Sequence, residues 1–238
     1  MPKFFVEKQN INDRTVSVTG EDVAHISRVL RMNPGDKITV CDGGGFDCTA
    51  VITSITKDAV FADITEKHRC EAEPGVKITV FQALPKQGKM EYIIQKNTEL
   101  GVSEFVPVYT KRCVAKPSDK TKRWQRVALE AAKQCGRGCV PKVHDTVNFK
   151  DALLSAAEYE KKIILYECED RTKLSEVIPS GISSAAVFVG PEGGFEPEEI
   201  EAAREHGIIP VTLGKRILRT ETAAAAVTPI ILFIQGEV

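Results

Sequence analysis

Residues 185–195, Ala185-Ala186-Val187-Phe188-Val189-Gly190-Pro191-Glu192-Gly193-Gly194-Phe195, join an apolar run to a glycine-containing turn. The apolar run predicts a buried strand, and the Gly-Pro and Gly-Gly pairs predict a tight turn after it. A second apolar run, 208–213, leads in the same way into a turn that begins at Gly214, and each turn opens a helix. The carboxyl ends of strands in an open α/β sheet are where ligands bind. The two turns therefore predict one ligand site.

The charges around the first turn indicate the kind of ligand. Glu192 lies inside the turn, and three more glutamates follow it at positions 196, 198 and 199. A helix N-terminus ordinarily attracts phosphate, but four carboxylates would repel it, and both common phosphate-binding glycine patterns are missing from the sequence. The turn thus favours a neutral or cationic ligand held by backbone groups. Alternatively, the glycines only form the turn and each glutamate stabilises the helix start by roughly 0.3–1 kcal/mol.

The chain of 238 residues has room for one or two domains, and its pattern changes near Pro74. Before it, short predicted strands at 37–41, 48–52 and 59–64 are separated by glycine-rich turns, and one helix covers about 21–31, which describes a small β-barrel. After it, strands alternate with helices, which predicts a mostly parallel sheet covered on both faces. The predicted strands are 76–82, 105–109, 162–166, 187–189 and 211–213, with helices at 89–100 and 120–135.

The formal net charge of −1 conceals an uneven distribution along the chain. Residues 1–72 carry a balance of −2, residues 73–150 of +8 and residues 151–238 of −7. The middle region contains ten basic residues between 111 and 142, and Asp119 and Glu130 are the acidic residues among them. Such a cluster is typical of a surface that binds nucleic-acid phosphates. A solvated helix face is the alternative.

The remaining composition excludes several classes of protein. The seven cysteines are odd in number and form no C-x-x-C pair, so we expect reduced thiols and no metal site. The four histidines are scattered. No apolar run reaches the roughly 20 residues that span a bilayer, and the N-terminus has no apolar signal region. We interpret the protein as cytoplasmic and without a membrane partner.

Two further motifs complete the pattern: residues 25–32, His-Ile-Ser-Arg-Val-Leu-Arg-Met, and residues 90–102, Met-Glu-Tyr-Ile-Ile-Gln-Lys-Asn-Thr-Glu-Leu-Gly-Val. Together with the two glycine turns, they resemble the ribosomal RNA small subunit methyltransferase E family over nearly the whole chain. The resemblance implies an enzyme that uses S-adenosylmethionine to methylate N3 of a specific uridine in 16S ribosomal RNA, within an assembled small subunit. The sulfonium of that cofactor is a cation, in agreement with the charge argument.

The resemblance also implies the architecture. It predicts a PUA-like RNA-binding β-barrel over residues 1–72 and a SPOUT-type methyltransferase domain over residues 73–238, whose C-terminal segment threads a trefoil knot. In that fold the knot forms the cofactor pocket, and two subunits of a homodimer share each active site. A knot could not be inferred from periodicity, because knots are nearly absent from ordinary folds.

Roles for individual residues follow as hypotheses. Arg219 is assigned to stabilise charge on the uracil oxygens, since guanidinium can donate two hydrogen bonds, and Glu221 is a candidate base or, alternatively, part of an ion pair. The residues assigned to the cofactor are Val189, Gly190, Glu192, Gly193, Gly194, Leu213 and Gly214, with Ile217 and Leu218 as an apolar wall. The residues assigned to RNA are Arg28, Arg31, Arg112, Arg123, Arg126 and Arg137.

Two other functions stay open from the sequence. A non-catalytic RNA-binding protein could use the same basic region and barrel, although intact glycine turns argue against it. An enzyme of the same fold could methylate transfer RNA or large-subunit ribosomal RNA instead.

Overall fold

The computed structural model of the chain describes residues 1–86 and 88–237. The chain forms two compact units, which are Met1–Glu73 together with Ala132–Val140, and Pro74–Ala131 together with the chain from Pro141 onward. The domain boundary between residues 72 and 73 stays a prediction. The sequence does not predict that residues 132–140 join the first unit.

The first unit contains a five-stranded sheet with the order β1-β3-β4-β5-β2. Its strands are β1 (Lys3–Phe5), β2 (Thr15–Thr19), β3 (Lys37–Cys41), β4 (Phe46–Ile55) and β5 (Ala59–Arg69). β1 and β3 are parallel, and the other pairs are antiparallel. The predicted helix is α1 (Glu21–Ala24), which continues into a π-helical turn at His25–Val29. Alternating buried residues of β2 and β3 form much of the core, as the period-two pattern predicts.

Glu73 ties residues 132–140 to this unit. Its Oε1 accepts hydrogen bonds from the backbone N–H groups of Gly138 at 2.8 Å and Cys139 at 2.9 Å. Its other oxygen pairs with Arg137 Nη2 at 2.9 Å. The Lys3 ammonium also donates to the carbonyl oxygen of Gly136 at 3.0 Å. These contacts satisfy backbone groups directly after a helix end, where they have no helical partners.

The second unit is built on a parallel sheet with the order β12-β10-β11-β6-β7-β8, and β9 also pairs with β7. The strands are β6 (Lys77–Ala83), β7 (Glu104–Tyr109), β8 (Lys142–Val143), β9 (Val147–Asn148), β10 (Lys161–Leu165), β11 (Ser184–Val189) and β12 (Ile209–Val211). β6 and β11 are buried along nearly their whole length, which fits strands covered on both faces. The predicted parallel sheet is confirmed.

Six helices of the described chain follow the strands of this sheet. They are α2 (Lys89–Glu99), α3 (Thr121–Cys135), α4 (Phe149–Ser155), α5 (Leu174–Val177), α6 (Pro197–Glu205) and α7 (Thr220–Gln235). Phe81 of β6 stacks on Phe188 of β11 with ring centroids 4.4 Å apart. Because β10 lies between β11 and β12 in the sheet, the segment after β10 lies between the two glycine turns. This strand order positions the site.

Candidate active site

A cavity of about 840 Å³ opens at the carboxyl ends of β10, β11 and β12. Its size lies in the range of pockets that hold small molecules. Both glycine turns contribute, as the sequence predicts, and the segment after β10 forms a third wall. The lining residues are Leu165–Glu167, Glu169, Asp170, Lys173–Ser175, Val189–Pro191, Gly194, Val211–Leu218, Thr220, Ala223 and Ile230.

The first turn is closed by a hydrogen bond from Gly194 N–H to the Pro191 carbonyl oxygen at 3.0 Å. Gly194 has φ +68°, a left-handed conformation that favours glycine. A Cβ at this position would also fall on the carboxylate of Glu167. The backbone conformation therefore favours glycine here, and any side chain at this position would displace the exposed Glu167 carboxylate.

The second turn bends at Gly214, which has φ +106° and open space where a Cβ would point. Its N–H donates to Thr212 Oγ1 at 3.1 Å, and Thr212 N–H donates to the Thr172 carbonyl oxygen at 3.0 Å. The turn is thus fastened to the segment after β10. Beyond it, Ile217 is 85% exposed and lines the cavity, as an apolar wall for a ligand would.

Thr220 fastens the start of α7 to the first turn. Its hydroxyl donates to the Gly190 carbonyl oxygen at 2.6 Å and accepts from Gln82 Nε2 at 2.9 Å. Thr220 is 5% exposed and Gln82 is fully buried. These buried hydrogen bonds therefore fix the start of α7 against the first turn and the end of β6.

We expect Thr220→Val to lower the free energy of unfolding by about 1–3 kcal/mol, because it leaves the Gly190 carbonyl without this donor and Gln82 without one acceptor. Thr222→Val is the matched control, since Thr222 is exposed in the same turn of helix. Urea denaturation of the two variants measures the difference. Equal stability of both variants would show that the buried hydroxyl does not hold the turn.

Structural partners engage the four glutamates of the first turn and α6. Glu192 pairs with Lys89 at 3.1 Å, Glu196 with Arg112 at 2.9 Å and Glu198 with Lys111 at 3.5 Å. Glu199 is buried and accepts from the backbone N–H groups of Lys111 and Glu196, each at 2.9 Å. Hydrogen bonding to Arg112 lowers the pKa of Glu196. The expectation that these carboxylates repel phosphate as free charges is corrected, because three of them pair with cations and the buried Glu199 is held by backbone N–H groups.

Glu192 and Gly193 are not among the residues that line the cavity. Burial alone would raise the pKa of Glu192, but hydrogen bonds, including those from Lys89 and the Lys86 backbone, lower it overall. The carbonyl oxygen of Gly193 accepts from Arg112 Nη1 at 2.7 Å. The contacts of both residues therefore stabilise the turn. Their cofactor role stays a prediction.

Arg219 and Glu221 flank Thr220 but do not line the cavity. Arg219 is exposed and precedes the first residue of α7. Glu221 pairs with Lys89 at 3.2 Å, and hydrogen bonds to Glu192 and Glu221 raise the pKa of the Lys89 ammonium. This is the ion-pair arrangement that the sequence left open for Glu221. Its role as a base stays a hypothesis.

The sequence analysis does not predict the cavity wall contributed by residues between Tyr166 and Ser175. These residues follow β10, which was predicted only as a strand. A charged segment, Glu167 to Arg171, directly after a buried strand was the available signal. Only the strand order shows that this segment separates the two turns.

Fewer basic side chains between residues 111 and 142 are available to bind phosphates than the sequence predicts. Carboxylates distant in sequence pair with five of its ten basic residues: Lys111 with Glu198, Arg112 with Glu196, Arg123 with Glu91, Lys133 with Asp22 and Arg137 with Glu73. In the described chain, five others are exposed and form no ion pair: Lys116, Lys120, Lys122, Arg126 and Lys142.

Arg137 requires a correction. It is 3% exposed and its guanidinium holds Glu73, so it does not present a charge to an RNA backbone. Arg28 and Arg31, by contrast, are exposed in the first unit. Arg31 has φ +53°, which is uncommon for a residue with a side chain.

Across 1–86 and 88–237, no group of three potential metal-ligating side chains comes together. Over the same residues, no helix is both long and apolar enough to cross a bilayer.

Comparison with known proteins identifies the class. Residues 72–232 match the family model described as an RNA methyltransferase domain, and residues 18–65 match the RNA methyltransferase PUA domain. A parallel-sheet unit with a cavity at its carboxyl edge and a PUA-like unit before it thus define a two-domain RNA methyltransferase.

The relatives narrow the class further. Ribosomal RNA small subunit methyltransferase E of Bacillus subtilis is 39% identical over 94% of this chain and 93% of its own length. The crystal structure of ribosomal RNA small subunit methyltransferase E from Neisseria gonorrhoeae, bound to S-adenosyl methionine, is 34% identical with a TM-score of 0.86 and covers 99% of this chain and 98% of that chain. A Legionella pneumophila methyltransferase in complex with the same cofactor is 31% identical with a TM-score of 0.84, covering 98% of this chain and 97% of that chain. The chain belongs to the ribosomal RNA small subunit methyltransferase E family.

Proposed function

We propose that this protein transfers a methyl group from S-adenosylmethionine to N3 of a specific uridine in 16S ribosomal RNA. The cavity between the two glycine turns carries the proposal, because it is of a size for one small cofactor and is lined by backbone as well as by apolar and charged side chains. The solved relatives with S-adenosyl methionine support the cofactor. The name of the relatives supports the small-subunit RNA.

The residues present fit this cofactor. Open space at Gly214 leaves room for a ligand to approach the backbone closely. Backbone groups of Val189, Gly190, Leu213 and Gly214, which line the cavity, are assigned to polar ligand atoms, and Ile217 and Leu218 are assigned to its apolar surface. When bound, S-adenosylmethionine supplies a methyl group on a positively charged sulfur.

The chain's own part in the chemistry is to position the uridine and to stabilise charge on it. N3 of uridine must lose its proton as it becomes the nucleophile, and negative charge then spreads onto the neighbouring carbonyl oxygens. Fixed hydrogen-bond donors aimed at such oxygens lower the barrier. Arg219, exposed beside the cavity-lining Leu218 and Thr220, is the donor we assign. Glu221 is the candidate base that accepts the N3 proton.

RNA binding is assigned to the exposed arginines and lysines that form no internal ion pair. We expect Arg126→Ala to weaken binding of 16S ribosomal RNA several-fold and to reduce the salt dependence of log affinity by about one phosphate contact. Arg123→Ala is the matched control on the same helix, because Arg123 already pairs with Glu91 at 2.8 Å. Binding isotherms at several salt concentrations measure both. A larger loss from the Arg123 variant would contradict this assignment.

The remaining expectations form part of the same proposal. The two domains are 1–72 and 73–238, the C-terminal segment forms a trefoil knot, and the protein works as a cytoplasmic homodimer on an assembled small subunit. Ile230 and Phe233 of α7 are 41% and 71% exposed, which supports a subunit contact on that helix.

The substrate class is tested by transfer of a labelled methyl group to small ribosomal subunits from cells that lack this protein. We expect labelling of small-subunit RNA and none of large subunits or transfer RNA. Labelling of another RNA instead would keep the chemistry and overturn the substrate. Failure to bind the cofactor or label any RNA would favour a non-catalytic RNA-binding protein.

A further inference from the structure

We infer that Glu167 recognises the positive charge of the cofactor. This inference rests on the proposed function, because it names a residue for the cofactor in that same cavity. Glu167 follows β10, and β10 lies between the strands that lead into the two turns. The residue therefore stands at the centre of the site.

The position of the Glu167 carboxylate is unusual for an exposed glutamate. It lies over the first turn, in the place that a Cβ of Gly194 would occupy. A side chain at 194 would displace it. Because residue 194 has no side chain, the Glu167 carboxylate occupies that space and lies on the cavity wall.

Glu167 is also the carboxylate beside this turn that lacks an internal partner. Among the described residues, it forms no hydrogen bond and no ion pair. Its charge acts on the nearby Arg112, but all three nitrogens of that guanidinium are engaged by Glu196 and the Gly193 carbonyl. A cation entering the cavity would meet Glu167 without a partner, whereas Glu192, Glu196 and Glu198 already pair with cations.

The other charges of the cavity agree with a ligand that carries both signs. Glu169 uses its carboxylate to accept the backbone N–H groups of Arg171 and Thr172, each at 3.0 Å. Lys173, Lys215 and Arg216 are exposed on the cavity wall and are suited to the carboxylate of a methionyl group. Glu167 is then suited to its ammonium or to the sulfonium.

The test is calorimetric titration of S-adenosylmethionine and S-adenosylhomocysteine into the wild type, Glu167→Gln and Glu205→Gln. S-adenosylhomocysteine lacks the sulfonium charge but keeps the ammonium. We expect Glu167→Gln to weaken S-adenosylmethionine binding roughly tenfold, the scale of one lost charge contact at a site that a ligand covers. Glu205→Gln makes the same change at an exposed residue of α6 that does not line the cavity, and we expect a change of about twofold or less.

Comparison of the two ligands shows which positive charge of the cofactor Glu167 contacts. A loss confined to S-adenosylmethionine places Glu167 at the sulfonium, and an equal loss for both ligands places it at the ammonium. Unchanged affinity of Glu167→Gln, or an equal effect of Glu205→Gln, overturns the inference. Wild-type protein that binds neither ligand would instead overturn the proposed function. Thermal unfolding of each variant confirms that the exposed substitutions leave the fold intact.

Discussion

Gly194→Val is expected to abolish cofactor binding, with no heat detectable on titration of S-adenosylmethionine. A side chain at φ +68° costs about 1 kcal/mol in backbone strain, and the branched methyl groups of valine need space at the cavity wall that the Glu167 carboxylate occupies. Gly194→Ala introduces only the Cβ, and the exposed Glu167 side chain can move aside. It should therefore weaken binding roughly tenfold, as loss of the Glu167 charge does.

A variant at a second glycine, Gly181, distinguishes the effect of backbone strain from the loss of the cofactor site. Gly181 has φ +82° with open space around a Cβ, and it lies outside the cavity. Gly181→Ala should therefore lower the melting temperature by a similar amount while leaving cofactor affinity at the wild-type value. If Gly194→Ala also binds with wild-type affinity, Gly194 is not part of the cofactor pocket.

Arg219→Ala is expected to reduce methyl transfer at least about a hundredfold, the effect of removing a donor that stabilises transition-state charge. Cofactor affinity should stay within about twofold of wild type, because Arg219 does not line the cavity. Single-turnover transfer to small subunits and calorimetry measure the two quantities separately.

Arg219→Lys keeps the charge but loses the two-pronged donor geometry. We expect it to recover only part of the rate. Full transfer by a correctly folded Arg219→Ala variant would remove this residue from the chemistry and direct attention to Glu221 or to a donor from a second subunit.

The sequence was sufficient for the parallel sheet and for a cavity at the two glycine turns. Apolar runs of strand length, such as 185–189, and the glycines that end them are local signals. Strand order is not local, so the position of β10 between β11 and β12 and the contribution of Glu167 could not be predicted.

The distribution of charge along the sequence was the least reliable predictor of which charged residues are available to bind a ligand or RNA. Glu196 and Arg112 are 84 residues apart, yet they form a hydrogen-bonded pair. Counting charges along the chain treats both as free. Arg137 shows the same error, since its partner Glu73 lies 64 residues away. Tertiary pairing removes such residues from any surface inferred by composition.

The central claim is tested most directly by nucleoside mass spectrometry of 16S ribosomal RNA. Small subunits from cells lacking this protein are incubated with S-adenosylmethionine and either the wild type or Gly194→Val, and the RNA is then digested. The account predicts N3-methyluridine, at one site per subunit, with the wild type and none with the variant. A different methylated nucleoside, or N3-methyluridine in equal amount from both proteins, would contradict it.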